Sequence, residues 1–255
     1  MMLDWRLEKT LFLLAVQFLT RLPVPRDLEF SDDLLVRATK YYPLVGVLVG
    51  SIGAAVLWVF GLWVPHAVAV LLSLAATLAA TGAFHEDGLA DAADGLGGGL
   101  TRERALEIMR DSRIGTYGAV TLGTTMALKV AILMSFAPLL AGVMLIAGHG
   151  LGRMAAVHVI ATTDYARDKG AKFTVPTVTR DGYRVALATG IAILAFVTLF
   201  AGLTAALCAF VGATLAAQVF RMIFVRKLGG YTGDCLGGTQ QLGEVGALLA
   251  VLMWL

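Results

Sequence analysis

Charged residues are scarce in this chain: only 15% of its 255 residues are Asp, Glu, Lys or Arg, whereas 58% are hydrophobic. Such a composition excludes an intrinsically disordered chain and disfavours a water-soluble globular domain. The 20 basic and 18 acidic residues leave a formal net charge of only +2, which is too small to hold nucleic acid by bulk electrostatic attraction. We therefore expect the lipid bilayer, and no nucleic acid, to be a partner.

Cysteine is also rare, with Cys208 in an apolar run and Cys235 in a glycine-rich stretch. Two cysteines in such different settings predict free thiols, and they exclude a zinc site made of paired cysteines. A signal-peptide pattern is missing as well, because Asp4 and Glu8 interrupt the N-terminal apolar segment and no small-residue cleavage site follows it. We expect this segment to remain on the mature chain.

Long apolar windows, by contrast, recur along the chain. Because a helix needs about 20 mostly apolar residues to cross about 30 Å of hydrocarbon, we predict spans at 43–62, 66–84, 118–137, 139–161, 185–203 and 204–225. A seventh, at 242–255, is long enough only if the preceding glycine-rich stretch joins it. The segment 5–19 is interrupted by charges, which is typical of an interfacial or re-entrant helix. The predicted fold is a single all-α membrane domain over residues 1–255, a bundle of about six to seven transmembrane helices.

Lysine and arginine are concentrated in alternate connections. They occur in the N-terminal arm and after the second, fourth and sixth predicted spans, with Lys169 and Lys172 in the connection after the fourth. The connections around 63–66, 137–139 and 202–204 contain none. Since basic residues in short loops stay on the cytoplasmic side, we predict a bacterial inner-membrane protein with a cytoplasmic N-terminus and all its polar chemistry on the cytoplasmic face.

Four acidic residues follow the second predicted span. At about 100° per residue, Asp87, Asp91 and Asp94 fall on one face of a helix, and Glu86 lies to the side. Carboxylates so close together repel one another unless a cation lies between them, and oxygen ligands suit magnesium or manganese that also takes substrate phosphate oxygens. Two other interpretations stay open: complementation of the helix dipole, which explains only Glu86 and Asp87, and the ion path of a transporter.

The stretch 109–118 places two arginines and two glycines just before the third span. Arg110 and Arg113 carry planar guanidinium groups that suit phosphate, and the backbone N–H groups near Gly115, at a helix start, can face an anion. A membrane anchor followed by a turn is an equally good interpretation of this stretch alone. Arg153 lies deep in an apolar stretch, so it requires either an acidic partner or a substrate phosphate.

The glycine-rich stretch 229–241 predicts a loop whose backbone approaches a ligand closely. In this interpretation Asp234 completes the metal site. Lys129, His149, His158 and Glu244 receive no predicted role.

Several motifs occur together along nearly the whole chain, at residues 18–25, 42–46, 84–91, 94–95, 109–118 and 233–237. In combination they resemble the cobalamin synthase family, the adenosylcobinamide-GDP ribazoletransferases. The Asp-x-x-x-Asp helix is also similar to the metal site of CDP-alcohol phosphotransferases, but the longer pattern of that family is not present in order. A CDP-alcohol-type phosphotransferase and an ion-coupled transporter are therefore the alternatives.

The resemblance implies a membrane phosphotransferase that acts late in vitamin B12 assembly. A ribose hydroxyl of α-ribazole, or of α-ribazole 5′-phosphate, would attack the cobinamide-linked phosphate of adenosylcobinamide-GDP, and GMP would leave. The family leaves open which ribazole is used, whether the chain forms a homo-oligomer and whether it contacts other cobalamin-assembly enzymes.

The resemblance also distributes roles among the candidate residues. Metal ligands for Mg²⁺, with Mn²⁺ as the alternative, are Glu86, Asp87, Asp91, Asp94 and Asp234; phosphate-binding residues are Arg110, Arg113, Gly115 and Arg153; and the acceptor of the hydroxyl proton is one of His85, Asp87 and Asp91.

Overall fold

The computed structural model describes residues 4–167 and 176–255, and these residues fold almost entirely into helices. Lys169 and Lys172 lie outside the described residues. The helices are α1 (Trp5–Leu19), α2 (Asp32–Ala38), α3 (Tyr42–Phe60), α4 (His66–Thr81), α5 (Phe84–Gly98), α6 (Arg102–Ile108), α7 (Thr116–Ser135), α8 (Pro138–Thr162), α9 (Arg180–Leu228) and α10 (Gly233–Trp254). A 3₁₀ turn, Thr39–Tyr41, joins α2 to α3, and in the described parts of the chain β-pairing is limited to one isolated bridge.

The apolar windows of the sequence lie in helices, so the predicted all-α membrane fold is confirmed. By length and composition, four helical stretches of the described chain can cross a membrane: Asp32–Phe60, α7, α8 and α9. A fifth is added if α4 and α5 are counted as one bent span. The number of six to seven spans stays a prediction, as does the interfacial position of α1, whose buried face includes Leu11 and Leu14.

Helix α9 contains two of the predicted windows. Its 49 residues would extend about 73 Å if straight, more than twice the hydrocarbon thickness of about 30 Å. Gly202 has non-helical angles, φ 86° and ψ 162°, and breaks the helix. One cavity is lined by Leu187 from before the break and Thr214 from after it. The two halves therefore run side by side, and the chain reverses where the sequence placed the boundary between two spans.

The connections separate to two ends of the bundle, as the charge pattern predicts. At one end, the Arg102 guanidinium donates hydrogen bonds to the carbonyls of Leu228, at 2.9 Å, and Ala166, and Lys227 Nζ donates to the Leu100 carbonyl at 3.2 Å. We call this end, where residues 99–101, 163–167 and 229–232 meet, the basic end. At the opposite end, the Trp58 indole donates to the Pro138 carbonyl at 2.9 Å. Which side of a membrane each end faces stays a prediction.

The chain turns sharply between α4 and α5. Gly82 and Ala83 both have left-handed backbone conformations, with φ 64° and 56°, and the two helix axes are bent by 86°. The left-handed conformation of Gly82 ends α4. For Ala83 the same conformation costs about 1–2 kcal/mol, and such strain is often found near functional sites. The bend directs the acidic helix α5 across the bundle.

The prediction of a loop over 229–241 is wrong for most of its length, because α10 begins at Gly233. The Thr232 hydroxyl caps this helix by accepting a hydrogen bond from the Cys235 N–H at 3.3 Å. Gly237 lies against the backbone of α5, where a Cβ would be 3.1 Å from the Gly88 Cα. These glycines are needed for close contact between helices, a use that composition does not distinguish from a loop.

Candidate active site

A cavity of about 760 Å³ lies beside the first half of α5. Three of its lining residues, Glu86, Asp87 and Asp91, are acidic, and Arg21 is the basic residue among them. The rest of the lining is mostly apolar side chains from α1, α2, α7 and their connections: Leu14, Phe18, Phe30, Leu35, Ile114 and Leu122. We call it the acidic cavity. It combines a carboxylate group of the kind predicted for metal or phosphate chemistry with an apolar wall.

The three acids of this cavity differ in their surroundings. Asp87 is exposed and Asp91 is half-buried, whereas Glu86 is buried, with 7% of its surface accessible. Glu86 Oε1 accepts a hydrogen bond from Gln241 Nε2 at 2.8 Å. Glu86 Oε2 is buried and has no hydrogen-bond partner among the residues that the structure describes. The cavity therefore contains one carboxylate that is fixed on one side only.

Asp94 lies apart from the other acids and has a different partner. Its two carboxylate oxygens accept hydrogen bonds from the backbone N–H groups of Gly115, at 2.7 Å, and Gly118, at 2.8 Å. Asp94 thus serves as a capping carboxylate for α7. The prediction that these N–H groups receive a substrate phosphate is not supported, because a side chain of the same protein occupies the position.

Asp234 comes close to the start of α5, as the prediction of a shared site requires, but it is paired. Arg167 Nη2 lies 2.9 Å from Asp234 Oδ2, and the Thr232 hydroxyl donates to the same oxygen at 3.2 Å. Asp87 acts on Asp234 electrostatically. Over residues 4–167 and 176–255, no three His, Cys, Asp or Glu side chains are gathered closely enough to hold a metal ion. The five-residue metal set is therefore not assembled, and metal binding stays a prediction.

A second concavity, of about 830 Å³, lies on the other side of the 109–115 connection. Its lining includes Arg104, Arg110, Arg113 and Gly115, and it shares Ile114 with the acidic cavity. We call it the arginine cleft. The Arg113 side chain is 87% exposed and bonds to Asp111 at 2.6 Å. These hydrogen bonds lower the pKa of Asp111 to about 2. The structure thus groups three predicted phosphate-binding residues, next to the acids.

Arg153 and His85 do not line either concavity. Arg153 is 2% exposed and donates to the His149 carbonyl at 3.1 Å, with Glu244 and Glu86 as its acidic electrostatic neighbours. Of the two partners that the sequence allowed for Arg153, acidic side chains are the ones present. His85 is also buried, and its electrostatic neighbours are basic or imidazole groups of the interior. The structure therefore supports neither a phosphate-binding Arg153 nor a proton-accepting His85.

Sequence reasoning missed several residues near the site. Arg21 received only an anchoring role but lines the acidic cavity, and Arg167 pairs with Asp234. Lys129 contacts both Gln241 and Glu244 inside the bundle. The available signal was a lysine within an apolar span and polar residues one helical turn apart, at 240, 241 and 244, in the last helix.

Comparisons with known proteins agree with this geometry. The chain matches the family model described as Cobalamin-5-phosphate synthase over residues 11–252. It is 44% identical over 244 residues to a protein of Ralstonia pickettii (strain 12J) named adenosylcobinamide-GDP ribazoletransferase, covering 94% of each chain. It is 41% identical over 256 residues to a protein of the same name from Shewanella frigidimarina (strain NCIMB 400), covering 98% of this chain and 97% of the relative.

A protein of Shewanella sp. (strain W3-18-1), also with that name, is 39% identical over 256 residues, which are 98% of this chain and 96% of the relative. No solved structure matches the chain. The family model and the relatives cover almost the whole length, including α5, the 109–118 stretch and the start of α10. The chain therefore belongs to the Cobalamin-5-phosphate synthase family.

Proposed function

We propose that this chain is an adenosylcobinamide-GDP ribazoletransferase of cobalamin biosynthesis. It transfers the adenosylcobinamide phosphate group to α-ribazole or α-ribazole 5′-phosphate, giving adenosylcobalamin or its 5′-phosphate, and GMP. The observation that carries the proposal is the contact between the acidic cavity and the arginine cleft at Ile114, in a chain whose relatives have this activity in their names.

The two concavities suit the two substrates. α-Ribazole combines a flat apolar dimethylbenzimidazole with a ribose, and the acidic cavity combines apolar side chains such as Phe18 and Phe30 with carboxylates. We place the base against the apolar wall and the ribose hydroxyls near Asp87 and Asp91. The diphosphate of adenosylcobinamide-GDP suits the arginine cleft, where Arg104, Arg110 and Arg113 supply guanidinium groups. The reacting groups then meet at the 109–115 connection.

The reaction needs one bond to form and one to break. The ribose 3′-oxygen bonds to the cobinamide-linked phosphorus, and the bond from that phosphorus to the oxygen bridging to GMP breaks. The hydroxyl proton goes to a carboxylate of the acidic cavity, either Asp87 or Asp91, since His85 does not line it. The arginines stabilise charge on the phosphate oxygens.

We also propose that Mg²⁺, or Mn²⁺, takes part. The donor chemistry fits, because Asp87 and Asp91 share the cavity with the unpartnered oxygen of Glu86 and hard oxygen ligands suit these ions. Asp94 and Asp234 are less suitable, because their oxygens already bond to backbone N–H groups and to Arg167. When bound, the ion would neutralise charge on the diphosphate and the leaving GMP.

The location follows from the same arrangement. Both concavities are lined by residues of the 109–115 connection, which follows the connections of the basic end along the chain. The positive-inside rule favours the cytoplasm for that end, where a nucleotide substrate is available. We therefore propose a bacterial inner-membrane enzyme with a cytoplasmic N-terminus and active site.

The test is GMP release by purified protein in detergent or lipid, with adenosylcobinamide-GDP, α-ribazole and Mg²⁺, followed by chromatography of the corrinoid product. We expect release to require both substrates and to stop when a chelator removes the metal. Asp91→Asn should lower the rate by about 100-fold or more, as expected for loss of a group that acts on the transition state. Asp181→Asn, at the exposed start of α9, is the matched control and should leave the rate unchanged.

The alternatives give different results. Release of CMP from a CDP-alcohol, without GMP release from the corrinoid substrate, would identify a CDP-alcohol-type phosphotransferase. Substrate accumulation in sealed vesicles without cleavage of a diphosphate would identify a transporter. A folded, helical wild-type protein that releases no GMP contradicts the proposal.

A further inference from the structure

Charged and amide side chains fill the middle of the bundle between two apolar clusters. One cluster, towards the basic end, contains Leu14, Tyr42 and Leu228, and the other contains Leu57 and Leu145. The polar side chains between them are all at most 3% exposed: Lys129, His149, Arg153, Gln240, Gln241 and Glu244. We call them the buried polar layer. None of them has a role in the reaction described above.

Gln241 joins this layer to the acidic cavity. Its carbonyl oxygen accepts a hydrogen bond from Lys129 Nζ at 2.8 Å, and its amide nitrogen donates to Glu86 Oε1 at 2.8 Å. Lys129 Nζ also lies 3.0 Å from Glu244 Oε1. A continuous path of polar contacts therefore runs from an internal ion pair to a carboxylate of the cavity.

The chemistry of the partners permits only one orientation of the Gln241 amide. An ammonium group can only donate hydrogen bonds, so the amide oxygen must face Lys129. An ionised carboxylate can only accept, so the amide nitrogen must face Glu86. Turning the amide over would place NH₂ against NH₃⁺ and oxygen against the carboxylate, losing both bonds. Lys129 thus determines the direction in which Gln241 donates.

The charges of the layer balance only when Glu86 is included. Lys129 and Arg153 carry positive charge, whereas Glu244 supplies a single negative charge within the layer itself. Glu86, an electrostatic neighbour of Arg153, supplies the second. Burying charges in the interior costs several kcal/mol per ion before pairing, so such layers are weak devices for stability alone. A layer that ends on a cavity carboxylate is better explained by a role in placing that carboxylate.

We propose that Gln241, oriented by Lys129, is a positioning residue that fixes the Glu86 carboxylate in the acidic cavity. Gln241 holds Oε1, and Oε2, which has no partner in the described chain, is left for the substrate or its bound cation. The inference rests on the proposed function, and it assigns Gln241 and Lys129 an effect on turnover that passes through Glu86.

The test is a double-mutant cycle of Gln241→Met with Glu86→Ala, read as GMP release under saturating substrates. Methionine has nearly the length of glutamine but lacks the two hydrogen bonds. We expect Gln241→Met to lower kcat by about 10- to 100-fold, as for loss of groups that orient a ligating or reacting side chain, with little change in KM. In the Glu86→Ala background the same substitution should add no further loss, because the residue it acts through is already absent.

Gln240→Met is the matched control, since Gln240 is adjacent and equally buried but donates to Glu244 Oε2, at 2.7 Å, and not to Glu86. Its effect on kcat should be the same factor in both backgrounds. If Gln241→Met fails to fold, Gln241→Glu keeps an acceptor for Lys129 and removes the donor to Glu86, and it should give the same loss of kcat. Folding of each variant is checked by circular dichroism.

A wild-type kcat in a folded Gln241→Met protein, or an equal loss in both backgrounds, would overturn the inference while the proposed function stands. Absence of GMP release from the folded wild type would instead overturn the proposed function, and this inference with it. The two failures are therefore distinguishable from the wild-type measurement.

Discussion

The two ends of helix α5 have the same chemistry in different surroundings. At its start, Glu86, Asp87 and Asp91 border a cavity, and one carboxylate oxygen there has no partner in the described chain. At its end, Asp94 has both oxygens bonded to the backbone N–H groups of α7. The spacing of four acids along a helix therefore indicates which face they occupy, but the neighbouring element decides whether a carboxylate is available for chemistry or serves as a structural cap.

Replacing Asp94 should have the largest effect on stability in this comparison. Asp94→Ala removes two charge-assisted hydrogen bonds and the cap of α7, and we expect a loss of about 2–3 kcal/mol in the free energy of unfolding. Denaturant unfolding in detergent, followed by circular dichroism, measures it. Asp94→Asn keeps one oxygen acceptor and should lose less. If Asp94→Ala instead unfolds like the wild type and only turnover falls, the distinction between the two ends of α5 is wrong.

The contact between α5 and α7 can also be disturbed from the other side. A Cβ at Gly118 would collide with the Asp94 carboxylate and the Ala90 carbonyl, so Gly118→Ala should cost about 1–3 kcal/mol by overpacking. Gly123 is on the same helix with no atom within 4 Å of an added Cβ. Gly123→Ala is the control and should be neutral or stabilising by up to about 1 kcal/mol. Equal effects in thermal unfolding would show that the contact is unimportant.

The start of α5 contains backbone strain that its end lacks, and this gives the smallest expected effect. Ala83 has φ 56°, so Ala83→Gly should relieve about 1 kcal/mol and raise the thermal midpoint slightly. Gly82→Ala should act in the opposite direction, because φ is 64° and a Cβ there would meet the Arg21 side chain. A lower midpoint for Ala83→Gly would show that the left-handed conformation at Ala83 is not strained.

Local features of the sequence predicted local structure well. Thr101 was expected to cap a short helix, and its hydroxyl accepts a hydrogen bond from the Arg104 N–H at the start of α6. The boundary between the windows 185–203 and 204–225 coincides with the break at Gly202. Asp87 and Asp91 are four residues apart on one helix and line one cavity, because that relation depends only on the helical period.

Features that depend on a distant partner were predicted less well. The glycines of 233–241 were expected to form a loop, since the sequence does not show that α5 lies against them. Arg153 was expected to need an acid or a phosphate, and only the position of Glu244, on another helix, distinguishes the two. Lys129 had no predicted role because Gln241, 112 residues away, orients it.

The sequence by itself determined the helical membrane character of the chain, the separation of basic connections to one end and the acidic face of α5, because apolar length, charge and helical period are properties of consecutive residues. Only the tertiary structure decided which carboxylates face a cavity, which one caps α7, and that Gln241 connects Glu86 to a buried ion pair. These depend on which helix packs against which, and an ionised group takes its role from the partners that packing provides.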